Sequence, residues 1–153
     1  MPWVFQRRNG YFAGLEDAGI EADECMVLWL KHGDYTASSE EVERYLEKRQ
    51  PTAVIFGSWV LVPSLAPLVK SGKLCIPRDL SVITFDQHPG VMNWLGVQPT
   101  TIAIPLGGMG RALARMSRDI AHGRPLEPIT TLGCQLMQGE SVKDLNETLS
   151  ETK

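Results

Sequence analysis

The spacing of apolar positions along the chain changes several times between helical and strand-like. Tyr11, Phe12, Leu15 and Ala18 fall on one helical face, and Gly19 suits a left-handed cap at the end of that helix. Cys25 to Leu30 is a continuous apolar run, short enough for a buried strand. Ser38 with Glu41 three residues later has the form of a capping box and opens a second helix. Val42, Tyr45 and Leu46 supply its apolar stripe, and Glu40 is placed to pair with Arg44 one turn on. After Pro51, the β-branched and apolar run Thr52 to Phe56 predicts another buried strand, Leu80 to Phe85 a third and Thr101 to Ile104 a short fourth. Leu106, Met109, Gly110, Leu113, Met116 and Ile120 mark an amphipathic helix with Arg111, Arg115 and Arg118 outward. Leu132 to Met137 reads as the last strand, and from Gly139 on the tail is polar and expected to fray.

Strands that are apolar throughout and alternate with helices predict an α/β fold, a mostly parallel sheet with helices on both faces. Ligands of such sheets bind beyond the carboxyl ends of the strands. That directs attention to three loops, His32-Gly-Asp-Tyr35, Gly57-Ser-Trp59 and Asp86-Gln-His88.

Composition narrows the function classes. A chain of 153 residues is one ordinary domain, long enough to bury a core without a metal or disulfide framework. Hydrophobic residues at 43% and charged residues at 22% exclude wholesale disorder. A net charge of −3 provides no basic excess for gripping phosphates, which argues against direct nucleic-acid binding. Cys25, Cys75 and Cys134 form no CxxC pair and no even set, and read as reduced, mostly buried thiols of a cytoplasmic protein. The apolar stretch Trp59 to Val69 is short and contains Pro63 and Pro67, so no membrane span is expected. Arg7, Arg8 and Asn9 come too early for a signal peptide.

Asp86 is the strongest local signal, because it follows an apolar strand directly. At the ligand edge of a sheet its carboxylate can accept two hydroxyl hydrogen bonds or hold a cation; a turn-forming aspartate before Gln87-His-Pro-Gly90 fits the position equally well. His88 invites an acid–base reading with Asp86, but Gly57-Ser58-Trp59 lacks the flanking glycines of a nucleophile elbow, so no catalytic set is expected. Three scattered histidines give no metal spacing, and Gly107-Gly-Met-Gly110 matches neither phosphate-binding glycine pattern, so neither a metal nor a cofactor is expected. Arg7 and Arg8 lie near the start of the first helix, where solvated arginines are common. Tyr35 and Trp59 sit on two different ligand-edge loops and could wall a ring if they converge.

These pieces together resemble the effector-binding domain of the lactose-repressor/galactose-repressor (LacI/GalR) family of bacterial transcription regulators. Arg7-Arg-Asn-Gly-Tyr11 with Leu15-Glu-Asp-Ala-Gly-Ile20 is similar to the family's R-x-x-G-F/Y…AL…GI block, and Pro51-Thr-Ala-Val-Ile55 to its PTAV strand. Ile76-Pro-Arg-Asp-Leu-Ser-Val-Ile-Thr-Phe-Asp86 resembles VP-x-D-V/I-S-V-V/I-G-F/Y-D and is the most specific of the blocks. Thr100 to Pro105 with Met109-Gly110, and Cys134 to Met137 with Ser141, complete a match running from about Arg7 to Ser141. The resemblance implies a Rossmann-like, periplasmic-binding-protein-like type I fold, in which two lobes enclose a sugar, nucleobase or similar small molecule.

Carried over by position, Arg7 matches the arginine that contacts ligand and Asp86 the aspartate that takes ligand hydroxyls. Tyr35 matches the stacking aromatic, while Ser58 and Trp59 occupy the place of an Asn-Asp pair. Ile104 stands for a glutamine, Gly139 for an arginine and Thr84 for a glycine. With polar anchors missing, the pocket is expected to prefer a less hydroxylated ligand or to be vestigial, since unpaired polar groups of a buried sugar are costly.

The family's helix-turn-helix head, hinge helix and the opening half of the first lobe have no counterpart in this sequence. The first lobe's strand before the first helix is missing as well, unless Met1 to Phe5 is its remnant. Residues 1–141 then amount to the second lobe largely alone, with helix 106–122 belonging to the first lobe, and residues 142–153 form a polar tail. The expected function is effector sensing and dimerisation in a transcription regulator, not catalysis, with DNA reached only through an absent head. A homodimer is expected because a missing strand leaves open sheet edges and because Val60 to Val69, with no charged face, lies where the family places a dimer-contact helix. A stand-alone or transport-type sugar-binding protein and a small α/β enzyme using Asp86 and His88 are the alternatives.

Overall fold

The computed structural model describes residues 2–30, 35–126 and 130–145, without the side chains of 2 and 35–37. Helix α1 (Pro2–Asp17) is followed by a 3-10 turn (Glu24–Met26), α2 (Tyr35–Arg49), strand β1 (Ala53–Phe56) and a 3-10 segment (Trp59–Leu65). Then come α3 (Ala66–Lys70), β2 (Ser81–Phe85), α4 (Gly90–Leu95), β3 (Thr100–Ala103), α5 (Leu106–Ala121) and β4 (Gln135–Met137). The sheet runs in the order β1-β2-β3-β4, with the first two pairings parallel and β4 antiparallel on β3. The architecture is the mostly parallel α/β sheet that the pattern predicts.

Register explains where the core sits. Val54 pairs with Val82, Phe56 with Thr84 and Thr84 with Thr101, so these side chains share one face. Against that face pack Val42 of α2, Val62 and Leu65 of the 3-10 segment, Leu68 of α3, and Val91 and Leu95 of α4, all buried. Thr84 is completely buried within this packing, and its hydroxyl donates to Phe85 O (3.2 Å). On the opposite face the Arg7 guanidinium of α1 lies 4.2 Å from the Phe85 ring, while Ile55 and Leu136 are exposed. α5 buries none of its residues; Leu106, Leu113 and Ile120 line a wholly uncovered apolar stripe.

Several local expectations are corrected. Cys25–Leu30 is not a strand. Asp23 Oδ1 accepts the Cys25 N–H (2.9 Å) and draws the chain into a 3-10 turn. After the turn Leu28 and Leu30 pack on the core, whereas Met26 and Trp29 face solvent, with no ladder partner among the described residues. Pro2 to Phe5 is helical and so is no remnant of a strand. α2 starts at Tyr35, three residues before Ser38, which lies inside the helix and is buried; its capping-box role is lost. Tyr35 therefore begins a helix and does not sit on a loop. Arg44 bonds the backbone carbonyl of Glu40 (3.3 Å). Of the cysteines, Cys75 and Cys134 are exposed and Cys25 is half-buried.

The two prolines divide Trp59 to Lys70. Pro63 lies within the 3-10 segment and Pro67 in the first turn of α3, where a missing N–H costs little. The segment turns Val62, Leu65 and Leu68 into the core, so it offers no free apolar face.

The stretch after β4 is pinned rather than frayed. Ser141 is completely buried, and its Oγ donates to Val82 O (2.5 Å) and accepts from Thr100 N–H (2.7 Å). Its carbonyl accepts the Val82 N–H (2.7 Å), and Lys143 N–H reaches Ser81 Oγ (3.1 Å). Gly139 N–H donates to Thr100 Oγ1 (3.0 Å), and a Cβ at 139 would stand 2.5 Å from both Gln98 O and Pro99 O. Glycine is required there by close backbone approach.

Candidate functional site

The site forms where β1 and β2 end. Strand β1 gives way at Gly57, whose carbonyl accepts a hydrogen bond from the Arg7 guanidinium, fifty residues earlier in the chain. Arg7 projects from the inner side of α1 and is layered between the Trp3 ring (4.6 Å) and the Phe85 ring (4.2 Å). Such stacking holds a guanidinium planar and directed. Arg8 turns elsewhere, to Glu24 (3.1 Å), so only one of the two arginines reaches the sheet.

Asp86 follows β2 in the left-handed region (φ 67°), a conformation that aspartate tolerates better than most side chains. Its N–H donates to Ile102 O (3.1 Å) and extends the β2–β3 ladder by one bond. The side chain is turned towards Arg7, with Oδ1 3.6 Å from the guanidinium. Oδ1 is shut off from solvent and has no hydrogen-bond partner, although the side chain as a whole is 26% exposed. The ion pair with Arg7 offsets part of that burial, but at 3.6 Å it is too long to be a hydrogen bond. A ligand hydroxyl or amine donated to that atom would supply one.

Ser58 is buried beside this pair and starts the 3-10 segment without a side-chain cap bond. Trp59 packs partly on the core and stacks on His88, with ring centroids 3.8 Å apart and planes 8° from parallel. Trp94 lies parallel to both rings, 6.3 Å from Trp59 and 5.8 Å from His88. His88 Nδ1 accepts the Gly90 N–H (3.1 Å). This ring is thus engaged in a stack and a turn. The stack was not legible along the chain, because Trp59, His88 and Trp94 share no local pattern.

Arg7, Ser58, Trp59 and Asp86 thus come from one end of the sheet. Tyr35 begins α2, and its side chain, like residues 31–34, lies outside the described residues. Ile104, one residue past β3, is half-buried, and Gly139 is committed to packing against Gln98 and Pro99. Among the described residues no group of three or more His, Cys, Asp or Glu side chains could hold a metal. No helix among them is long and apolar enough to cross a membrane. An open hollow of about 600 Å³ runs along α1 past Phe12, Glu16 and Ile20 and shares no lining residue with the Arg7–Asp86 pair.

Known proteins place this geometry. Residues 2–142 match the periplasmic binding protein-like domain. The chain belongs to that family. The LacI/GalR regulators that the sequence resembles are its relatives: it is 32% identical over 127 residues to the HTH-type transcriptional repressor CytR of Escherichia coli (strain K12), a match covering 81% of this chain and 36% of that protein. It is 30% identical over 141 residues to the HTH-type transcriptional regulator CelR of Thermobifida fusca, covering 89% of this chain and 40% of that one. Among solved structures, the CelR–cellobiose complex superposes with a TM-score of 0.73 at 26% identity, over 90% of this chain and 42% of that one. The Escherichia coli repressor ascG has the same fold (TM-score 0.74, 21% identity, 90% and 50% covered). The chain therefore spans between about a third and a half of the length of these relatives. Its fold is that of the periplasmic binding protein-like domain found in these LacI-family regulators.

Proposed function

We propose that this lobe senses a small metabolite, a sugar or a related hydroxyl-bearing compound, gripped by Arg7 and Asp86 at the carboxyl ends of β1 and β2. The observation that carries the reading is the buried Asp86 Oδ1, 3.6 Å from Arg7 and without a hydrogen bond, beside a guanidinium held in place by Gly57 O and two rings. Ser58 and Trp59, which follow Gly57 in the chain, and Tyr35 would line the same pocket. The solved CelR relative with cellobiose, and a LacI-family regulator with lactose at 21% identity, support a saccharide as the first class to try.

In the whole regulator, effector held between two lobes would favour one lobe arrangement and so change the placement of DNA-binding heads. DNA would be met through a helix-turn-helix segment outside these 153 residues. The chain would act in the cytoplasm as a binding protein and not as an enzyme. Residues 1–141 would be the effector unit, 142–153 its tail, and the exposed stripe on α5 would pack against the first lobe. The regulator would be a homodimer; a monomer in light scattering at high micromolar concentration would contradict that part.

The test of the binding site is thermal denaturation of the chain with cellobiose, lactose and adenosine. A bound compound at about a hundred times its dissociation constant adds about 2.7 kcal/mol of stability. Asp86→Asn and Arg7→Leu should each abolish the shift. No protection by any of the three, or protection unchanged in both variants, contradicts the site.

A further inference from the structure

We propose that His88 is a stand-in for the ring of the effector: it covers the face of Trp59 on which a flat ring of the ligand stacks, and it is displaced when that ligand binds. The inference rests on the effector reading above and names the chemical class for the same site. Trp59 stands where the resemblance places a polar residue, and an indole offers a hydroxyl one donor, Nε1–H at the ring edge, and no lone-pair acceptor. It can hold a ring at van der Waals distance. His88 already lies there, at 3.8 Å and 8° from parallel, the geometry of a stacked aromatic pair.

The arrangement has the features of a removable cover. His88 is exposed while Trp59 beneath it is half-buried, so His88 is the outer layer. One backbone bond, Gly90 N–H to Nδ1 (3.1 Å), holds the imidazole over the indole. His88 stands two residues past Asp86, and Trp59 stands three past Phe56, which pairs with Thr84. The covered face and the carboxylate oxygen without a hydrogen bond therefore belong to the ends of neighbouring strands. A ligand joining a flat ring to a hydroxyl-bearing portion would satisfy both, the ring on Trp59 and a hydroxyl on Asp86 Oδ1. Nucleosides and aryl glycosides share that chemistry.

The experiment compares adenosine and p-nitrophenyl β-D-glucopyranoside with methyl β-D-glucopyranoside, by calorimetric titration of the wild-type chain and three variants. Both ring-bearing compounds or either one should bind more tightly than the methyl glycoside, and which of them does so identifies the source of the ring. His88→Ala, which removes the competing ring, should tighten ring-bearing binding roughly 3- to 10-fold and leave the methyl glycoside unchanged. Gly90→Ala crowds the same ring without removing it, since its Cβ would stand 3.0 Å from His88 Nδ1 and 3.2 Å from Trp94, so the imidazole must give way by a few tenths of an ångström and should be held less firmly over the indole. Trp59→Leu should weaken the ring-bearing compounds by at least a similar factor. Weaker or unchanged ring-bearing binding in both His88→Ala and Gly90→Ala overturns the proposal. If the methyl glycoside binds as well as the others through Asp86, the stand-in role falls while the effector site stands. If none of the three binds the wild type, the stand-in role falls, and the effector site is decided separately by the denaturation series with cellobiose and lactose.

Discussion

Replacing Ser141 with alanine tests how the sheet is closed at the end opposite the site. Val82 is the first of the two buried residues of β2, and both of its backbone groups point at Ser141: its N–H to the serine carbonyl, its C=O to the serine hydroxyl. The same hydroxyl accepts the Thr100 N–H at the start of β3, the residue in register with Ile83 of β2. Deleting Oγ leaves Val82 O and Thr100 N unpaired at a completely buried position. Each orphaned group costs about 1–3 kcal/mol, and partial relaxation puts the expected total at about 2–4 kcal/mol. For a domain of this length 1 kcal/mol moves the midpoint by about 2–4 °C, so Tm should fall by roughly 5–15 °C. Urea titration should show a lower midpoint at an unchanged slope, because the exposed surface of the unfolded chain is the same. A loss under about 0.5 kcal/mol would refute the clamp, and with it the view that 139–143 belongs to the folded unit.

Other outcomes follow from the same coordinates. Gly139→Ala should destabilise by at least about 1–3 kcal/mol in chemical denaturation, because its methyl meets backbone oxygens that cannot swing away. Leu65→Ala, at a completely buried position between the 3-10 segment and the sheet, should cost about 2–5 kcal/mol in the same assay. The Arg78 side chain and the Cys75 N–H lower the Asp79 carboxyl from 3.8 to about 2. A carboxyl lowered by folding stabilises above its unfolded value and loses that contribution as pH falls. Thermal midpoints should therefore drop between about pH 4 and pH 2, and Asp79→Asn should flatten that acid limb.

The blocks that carry chain topology were readable because their periodicity is dictated by burial. Leu80 to Phe85 contains β2, which is parallel-paired on both sides, and Thr52 to Phe56 contains β1, which lies at the sheet edge and turns Phe56 into the core while Ile55 stays exposed. Cys25 to Leu30 has the same composition and is not a strand, since composition cannot say whether a neighbour exists to receive the hydrogen bonds. Asp23 decides the matter locally by capturing an amide. Ser38 misled for a related reason: its box fits a helix start, but α2 was already running. The tail looked loose because Gly139-Glu-Ser141 is polar, yet its hydroxyl and carbonyl are spent on buried strand ends. Of the site, Asp86 was legible from its place after a strand. Arg7's reach to Gly57 O and the Trp59–His88–Trp94 stack are contacts across the fold, and no spacing along the chain encodes them.

Effector sensing by this lobe turns on whether the hidden oxygen of Asp86 receives a ligand donor. Carbon-detected NMR of carboxyl-labelled chain, titrated in turn with cellobiose, lactose, adenosine and p-nitrophenyl β-D-glucopyranoside, reads that atom's environment. A saturable movement of the Asp86 carboxyl resonance with at least one compound, while Asp79 stays fixed, is the predicted result. An Asp86 resonance that stays in place through all four titrations contradicts it.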